Sequence, residues 1–284
     1  MARSSYLNLI ISAFGIMVRK DVVSPSSLSG ACHENLVEAF ESVARIVPGG
    51  AIERIGGLTA VRGGMPGPGF NWVFGLTRPT SVAKVTEGIK RLFLRSRTEF
   101  QFLTLPETLD ELNPVIQAVG LTEKEVIPGM VLDPIPDFRH RPPKALKIRR
   151  ATRPKEAADH LRTGAMGFGV APDFFDAWKP AILAGASGPW AQGTSYTGYV
   201  GGKPAATSVR IRTGGVAGIY FVSTLPEFRR RGFGEAMTWR AVSDGRAAGC
   251  KLSYLQASKM GRPIYERMGF RVIEEYTEWR RPRA

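Results

Sequence analysis

The sequence predicts an α/β fold, a mixed sheet flanked by helices, laid down in two successive units. Three observations carry that expectation. Short strand-like runs alternate with helical stripes along most of the chain, the pattern of a sheet covered by helices. A proline-rich stretch, Pro134 to Pro143, divides the series, because closely spaced prolines exclude helix and paired strand alike. The elements on its two sides follow one order at an offset of about 150 residues, the size of a domain.

The boundaries that follow are an irregular lead-in over 1–33, a first domain over 34–133, a linker over 134–145 and a second domain over 146–284. Ser24 to Gly30 is rich in Ser, Pro and Gly and belongs to the lead-in. Leu36, Val37, Phe40, Val43 and Ala44 then mark a helix from about Glu34 to Ile46, ended by Pro48-Gly49-Gly50. Ala51 to Ile55 and Leu58 to Arg62 read as a hairpin across Gly56-Gly57, and Asn71 to Leu76 as a third strand. Gly63 to Gly69 reads as a solvent loop. A helical stripe over Ser81 to Leu94, a strand over Glu99 to Leu103 and a helix over Glu107 to Val119 follow, and Gly120 closes the last. Leu121 to Leu132 reads as a hairpin or a bent strand.

Beyond the linker, Leu146 to Arg150 is a strand, and Pro154 to Gly164 and Pro172 to Leu183 are helices. Ser195 to Val200, Pro204 to Ile211 and Gly215 to Val222 form a meander through two glycine turns. A long helix runs from near Gly232 to Gly249. The strand Leu252 to Gln256, a short helix over Pro263 to Met268 and a last strand, Phe270 to Trp279, complete the chain.

Composition narrows the function classes. With 284 residues, 43% apolar and 23% charged, the chain supplies two domains with their own cores and excludes a predominantly disordered protein. Cys32 and Cys250 stand far apart and in unlike surroundings, so neither a disulfide framework nor a metal cluster is expected, and a reducing cytoplasm fits. His33, His140 and His160 share no ligand spacing, so no metal is expected either. The apolar run Tyr6 to Val18 is short of the ~20 residues a membrane-spanning helix needs. Arg19-Lys20-Asp21 stands where a signal peptide would carry its cleavage site. The run reads as a short strand, a docking helix, or sequence ahead of a true start at Met17. No membrane association is expected.

The net charge of +14 is lopsided: residues 1–145 hold 16 basic against 14 acidic side chains, and residues 146–284 hold 23 against 11. Such a field attracts nucleic acid, an acidic surface or a multiply phosphorylated small molecule. No nucleic-acid-binding motif accompanies it, which ranks nucleic acid last.

The chemistry concentrates between Gly218 and Gly234. A strand leads through a turn into Arg229-Arg230-Arg231-Gly232-Phe233-Gly234 at the start of a helix, where successive backbone N–H groups and the positive end of the helix dipole converge. That arrangement suits a pyrophosphate. Gly232 and Gly234 allow the backbone close to the phosphates, and the three arginines add charge.

These residues resemble the acetyl-coenzyme-A-binding segment of the Gcn5-related N-acetyltransferase superfamily, Arg or Gln-x-x-Gly-x-Gly or Ala. Leu255 to Phe270, ending Tyr265-Glu-Arg-Met-Gly-Phe270, is similar to the second signature of that family, in the right order and at the right separation. The resemblance covers about Lys147 to the C-terminus. It implies an acyl-CoA N-acyltransferase fold, in tandem, with the first half a degenerate copy. It implies acetyl-CoA as co-substrate and an amine acceptor, small or polypeptide. Val222 and Thr224 would pair by backbone with the pantetheine arm, an N–H near Val222 would polarise the thioester, and Arg229 to Gly234 would cradle the pyrophosphate. Ser258 stands where many members carry Asn and would contact the pantetheine. Tyr265 resembles the tyrosine that protonates the departing thiolate, which needs an acid because a thiol has a pKa near ~8.5.

The strand Gly215 to Val222 carries no Glu or Asp, so the general base is unassigned; Tyr220 or Ser253 would line a water path, and Glu227 is structural. In the first half the matching loop, Thr77-Arg-Pro-Thr-Ser-Val82, lacks glycine and the concavity a pyrophosphate needs. A non-catalytic acetyl-CoA sensor on the same fold is the alternative reading.

Overall fold

The computed structural model describes residues 27–47, 49–64, 68–137, 140–170 and 193–282. The apolar run Tyr6 to Val18, Met17, the helix expected over Pro172 to Leu183 and part of the 63–69 loop lie outside the described residues. No described helix is long and apolar enough to cross a membrane.

The first half comprises α1 (Leu28–Ile46), β1 (Gly50–Ile55), β2 (Leu58–Gly63), β3 (Asn71–Gly75), α2 (Val82–Ile89, running on through a π-helical turn to Leu94), β4 (Gln101–Thr104), α3 (Leu109–Ala118) and β5 (Glu123–Leu132). The second comprises β6 (Leu146–Arg150), α4 (Pro154–Gly167), β7 (Gly193–Val200), β8 (Lys203–Thr213), β9 (Val216–Thr224), α5 (Phe233–Ala247), β10 (Leu252–Gln256), α6 (Arg262–Arg267) and β11 (Arg271–Arg280).

All eleven described strands join one sheet, ordered β1-β2-β3-β4-β11-β5-β10-β9-β8-β7-β6. The series β3-α2-β4-α3-β5 repeats as β9-α5-β10-α6-β11, and β3/β4 and β9/β10 are the parallel pairs. Each half gives its last strand to the other. β5 sits between β10 and β11, and β11 between β4 and β5. The connector at 134–145 therefore separates two stretches of chain but not two sheets. Its described residues are irregular, as its prolines require, yet packed: Ile135 is buried in the second-half core and Arg246 pairs with Asp137 at 2.7 Å.

Three large apolar clusters, and a small one of Ala39, Val209 and Ile211, are buried among the described residues. One lies under α2 and α3, built on Ile89, Phe93, Phe102 and Leu112. Another lies under α5 and α6, built on Met130, Tyr196, Met237 and Leu255. The third draws on both halves, joining Leu36, Trp72 and Phe74 to Val216, Tyr254 and Tyr276.

One expectation needs correction and one open reading is decided. The lead-in is not irregular to residue 33. The Ser27 hydroxyl accepts from Gly30 N–H at 3.0 Å and starts α1 at Leu28, a side-chain cap that the Ser/Pro/Gly composition concealed. This helix packs on β1 and β2 and equally on β8 and β9. Buried Asn35 keys it there: its Nδ2 donates to the Ile211 carbonyl at 3.1 Å, and Tyr220 OH donates to its Oδ1 at 2.7 Å. Of the hairpin and the bent strand read for 121–132, the structure has the strand, Glu123–Leu132: β11 pairs along Glu123–Val131 and β10 along Gly129–Leu132, which leaves no place for a turn.

Candidate functional site

The site is built where two parallel strands part. β9 pairs with β10 only over Val216–Gly218 against Leu252–Tyr254. Beyond Gly218, β9 continues to Thr224 on β8 alone, while Leu255 and Gln256 pair with β5. A wedge opens between them. On β9 the register with β8 slips between Thr207/Ser223 and Val209/Tyr220, so three steps on β9 face two on β8. This is a β-bulge, and it places Phe221 at φ 52°, a left-handed conformation rare for a bulky residue.

The chain leaves β9 at Thr224, makes a short 3₁₀ turn over Pro226–Phe228 and enters α5 at Phe233. Arg230 and Gly232 have positive φ, 60° and 73°. From Arg230 to Glu235 no backbone N–H has an acceptor among the described residues, and the first helical bond is Ala236 N–H to the Gly232 carbonyl at 3.1 Å. These donors and the helix dipole make a ready anion site. A Cβ at Gly234 would come no nearer than 3.8 Å to Thr224 Oγ1, so protein packing does not demand a glycine there.

The arginines differ in their work. Arg229 donates from Nε to the Thr224 carbonyl at 3.0 Å and from Nη2 to the Gly167 carbonyl at 3.1 Å, clamping the loop to β9 and the end of α4. Arg231 donates to the Glu227 carbonyl at 3.2 Å and lies over the Phe228 ring. Arg230 and Arg231 are exposed at the loop crest. Glu227 lies exposed in the 3₁₀ turn that leads to the loop.

Tyr265 projects from α6 into the second-half core, where only 8% of it is exposed. Burial pushes its phenol up to about 12, and the Thr238 hydroxyl is its hydrogen-bond partner. Thr238 in turn donates to the Gly234 carbonyl at 2.9 Å. Tyr265 is thus linked through one side chain to the glycine loop. Sequence reasoning missed Thr238; its only signal was a position four residues beyond Gly234 on the helix. Ser258 is exposed, and its hydroxyl accepts from Gly261 N–H at 3.1 Å in the turn ahead of α6, with no acceptor for its own proton among the described residues. Val222 and Thr224 are half-buried at the open end of β9.

Neither hydroxyl expected to line a water path is available for it. Ser253 is buried and donates to the Ala217 carbonyl at 2.8 Å. Tyr220 is bound to Asn35, and burial pushes its phenol up.

On the other face of the sheet α4 presses against the bulge. A Cβ on Gly164 would lie 1.8 Å from the Phe221 ring, and one on Gly167 2.5 Å from Ser223 Oγ. The Phe221 ring also contacts His160 at 5.5 Å and Phe168 at 5.3 Å between centroids. His160 is buried, with Nδ1 on the Tyr196 carbonyl at 3.0 Å; since a carbonyl only accepts, Nδ1 carries the proton. Its Nε2 is buried without a partner among the described residues. Burial lowers its pKa to about 4. The unfolded chain therefore binds this proton more readily, and stability should fall as pH drops from about 6.5 to about 4, by roughly 3 kcal/mol in all. Melting temperature against pH reads this directly; an equal acid-side slope in His160→Gln would assign the loss to other groups.

Among its described residues the first half offers no such site. β3 pairs with β4 from Trp72 to Gly75 against Gln101 to Thr104 and no wedge opens. The Ser81 hydroxyl caps α2 through Lys84 N–H at 3.3 Å, and Thr80 N–H bonds the Gly56 carbonyl at 2.8 Å, so this helix start is already occupied.

Comparison with known proteins places the second half. Residues 148–273 match the model of the acetyltransferase (GNAT) domain family. No curated protein matched the chain. Among solved structures, a GCN5-related N-acetyltransferase from Kribbella flavida superposes with a TM-score of 0.63 at 18% identity, covering 89% of this chain and 96% of that one. A GCN5-related N-acetyltransferase from Sphaerobacter thermophilus gives 0.55 at 18% identity, over 75% and 74% of the two chains. A tandem GNAT protein from the clavulanic acid biosynthesis pathway gives 0.56 at 11% identity, over 89% and 96%. These three likenesses are of fold.

Proposed function

We propose that this chain, whose residues 148–273 are a GNAT acetyltransferase domain, transfers an acetyl group from acetyl-CoA to an amine by direct attack. Acetyltransferase activity in general goes with that domain; donor, acceptor and residue roles are our reading. The observation that carries it is the run of N–H groups from Arg230 to Glu235, without acceptors, at the mouth of the wedge between β9 and β10. A pyrophosphate satisfies such a run, and the open space at Gly234 lets it approach.

In this reading the backbone of Arg229 to Gly234 holds the pyrophosphate, with Phe233 anchoring the helix start in the core. Arg230 and Arg231 supply charge at the crest, while Arg229 shapes the loop and contributes its field. Val222 and Thr224 offer backbone to the pantetheine arm, and the Ser258 hydroxyl has a proton for it. Bound acetyl-CoA supplies an activated acyl group. Tyr265, its phenol pushed up to about 12, supplies the proton that the leaving thiolate takes as the carbon–sulfur bond breaks and the carbon–nitrogen bond forms, and the proton that the amine nitrogen sheds passes through solvent and restores the phenol. The first half, 34–133, acts as a structural partner domain, a copy of the fold without a cofactor site.

Thiol release from acetyl-CoA, followed against small amines, amino acids, aminoglycosides and peptides with free N-termini or lysines, tests this. At least one acceptor class should support turnover. Silence across the panel with acetyl-CoA bound would leave a sensor instead of an enzyme. Gly232→Ala should weaken acetyl-CoA binding at least about tenfold, because a side chain at φ 73° is strained and relief of that strain redirects the N–H groups. An unchanged dissociation constant would remove the loop from the cofactor site.

A further inference from the structure

We infer that Thr207, on β8, is a positioning residue for the transfer, setting the direction of the Val222 N–H through the Phe221 carbonyl. The inference rests on the acetyl-CoA reading above and extends it to a residue with no place in either sequence signature. Thr207 is fully buried, and its Oγ1 donates to the Phe221 carbonyl at 2.9 Å. A hydroxyl has one proton, so the 2.9 Å contact with Ser223 Oγ is one in which Ser223 donates and Thr207 accepts. Two hydroxyls in series thus hold one carbonyl.

The peptide that follows Phe221 is trans, since the sole cis bond among the described residues is Asp133–Pro134. In a planar trans peptide C=O and N–H point in opposite directions. A carbonyl drawn toward Thr207 on β8 therefore turns the Val222 N–H away from β8, to the side on which β9 and β10 have parted. That side is where a thioester carbonyl would lie. The bulge gives the peptide this freedom, and the Thr207 hydrogen bond removes the alternative orientations. Packing completes the arrangement: the Gly164 notch and the His160 and Phe168 rings hold the Phe221 side chain while its backbone stays at φ 52°. Strain of this kind persists where the surroundings over-determine it.

The test uses the full chain with acetyl-CoA labelled with carbon-13 at the thioester carbonyl, and reads the carbonyl stretch of the bound molecule by isotope-edited infrared spectroscopy. It needs no acceptor. In the wild type the band should lie below that of free acetyl-CoA, because an N–H donor polarises the bond. In Thr207→Val it should return toward the free position, while Thr207→Ser keeps the wild-type band. With an acceptor, kcat of Thr207→Val should fall on the order of ten- to a hundredfold, with KM for acetyl-CoA within about twofold. If Thr207→Val does not fold, Thr207→Cys, a weaker donor, should give an intermediate band. A wild-type band in a folded Thr207→Val or Thr207→Cys overturns the positioning role and leaves the cofactor site standing. No bound band in the wild type removes the acetyl-CoA reading and this role together.

Discussion

Residues 134–284 expressed alone are expected to show no cooperative unfolding transition, although they contain every residue of the proposed site. β11 has two neighbours, β4 along Thr277–Trp279 and β5 along Arg271–Arg280, and both come from the first half. β10 would also lose β5 along Ser253–Gln256. Unpaired backbone groups of a central strand would then meet water or remain buried unsatisfied, at about 1–3 kcal/mol for each buried group. Loss of α1 would uncover Val216, Tyr254 and Tyr276, and would free Tyr220 from Asn35. Such losses exceed the margin of an ordinary domain, about 5–15 kcal/mol. Residues 1–133 face the same deficit, since both neighbours of β5 come from the second half. Co-expression of the two pieces should restore a folded complex. Calorimetry or circular dichroism melting decides the matter, and a melting transition of isolated 134–284 matching that of the intact chain would show the exchanged strands to be dispensable.

Tyr265→Phe is expected to lower kcat about a hundredfold while acetyl-CoA binds within about twofold of the wild-type affinity. The substitution removes one oxygen and keeps the ring, so the contacts with Phe270, at 5.9 Å between centroids, and with the backbone at Gly261 survive. Loss of the Thr238 hydrogen bond should cost only about 1 kcal/mol of stability. The large effect falls on the proton. With its pKa pushed up to about 12, Tyr265 holds that proton throughout the range in which enzymes are assayed, so no basic limb in kcat before about pH 11 should trace to it. Single-turnover kinetics with saturating acetyl-CoA separate this loss from product release. A Tyr265→Phe enzyme with wild-type kcat would assign the residue to packing alone.

Much of the fold was legible because its signals are local. Gly56-Gly57 and Gly201-Gly202 announced hairpins, the apolar stripe 82–93 a helix, and Gly120 and Gly269 the ends of α3 and α6, where the structure gives them φ of 70° and 94°. The order of elements in one half could be laid on the other from sequence. What misled was also local. Ser, Pro and Gly before residue 30 looked irregular, yet one serine hydroxyl in that stretch caps a helix. For the site, the strand end, the loop and the helix start stood in one continuous stretch, which is why they could be read. Thr207, Thr238, Gly164 and Phe221 could not. Thr207 matters through Phe221, 14 residues on, and Gly164 through the same ring, 57 residues on, while Thr238 back-bonds within its own helix to Gly234, and no local pattern marks any of them.

By itself the sequence determined the class of fold, the two series of elements and the position of a glycine loop at the start of a helix. Periodicity, turn chemistry and glycine placement act over a few residues and need no distant partner. Only the tertiary structure decided that β5 and β11 change places, that α1 serves both halves, and that β9 and β10 part while β3 and β4 stay paired. A strand edge offers the same N–H and C=O groups to any partner, so the choice is made by packing of whole halves against each other, where no local pattern reaches.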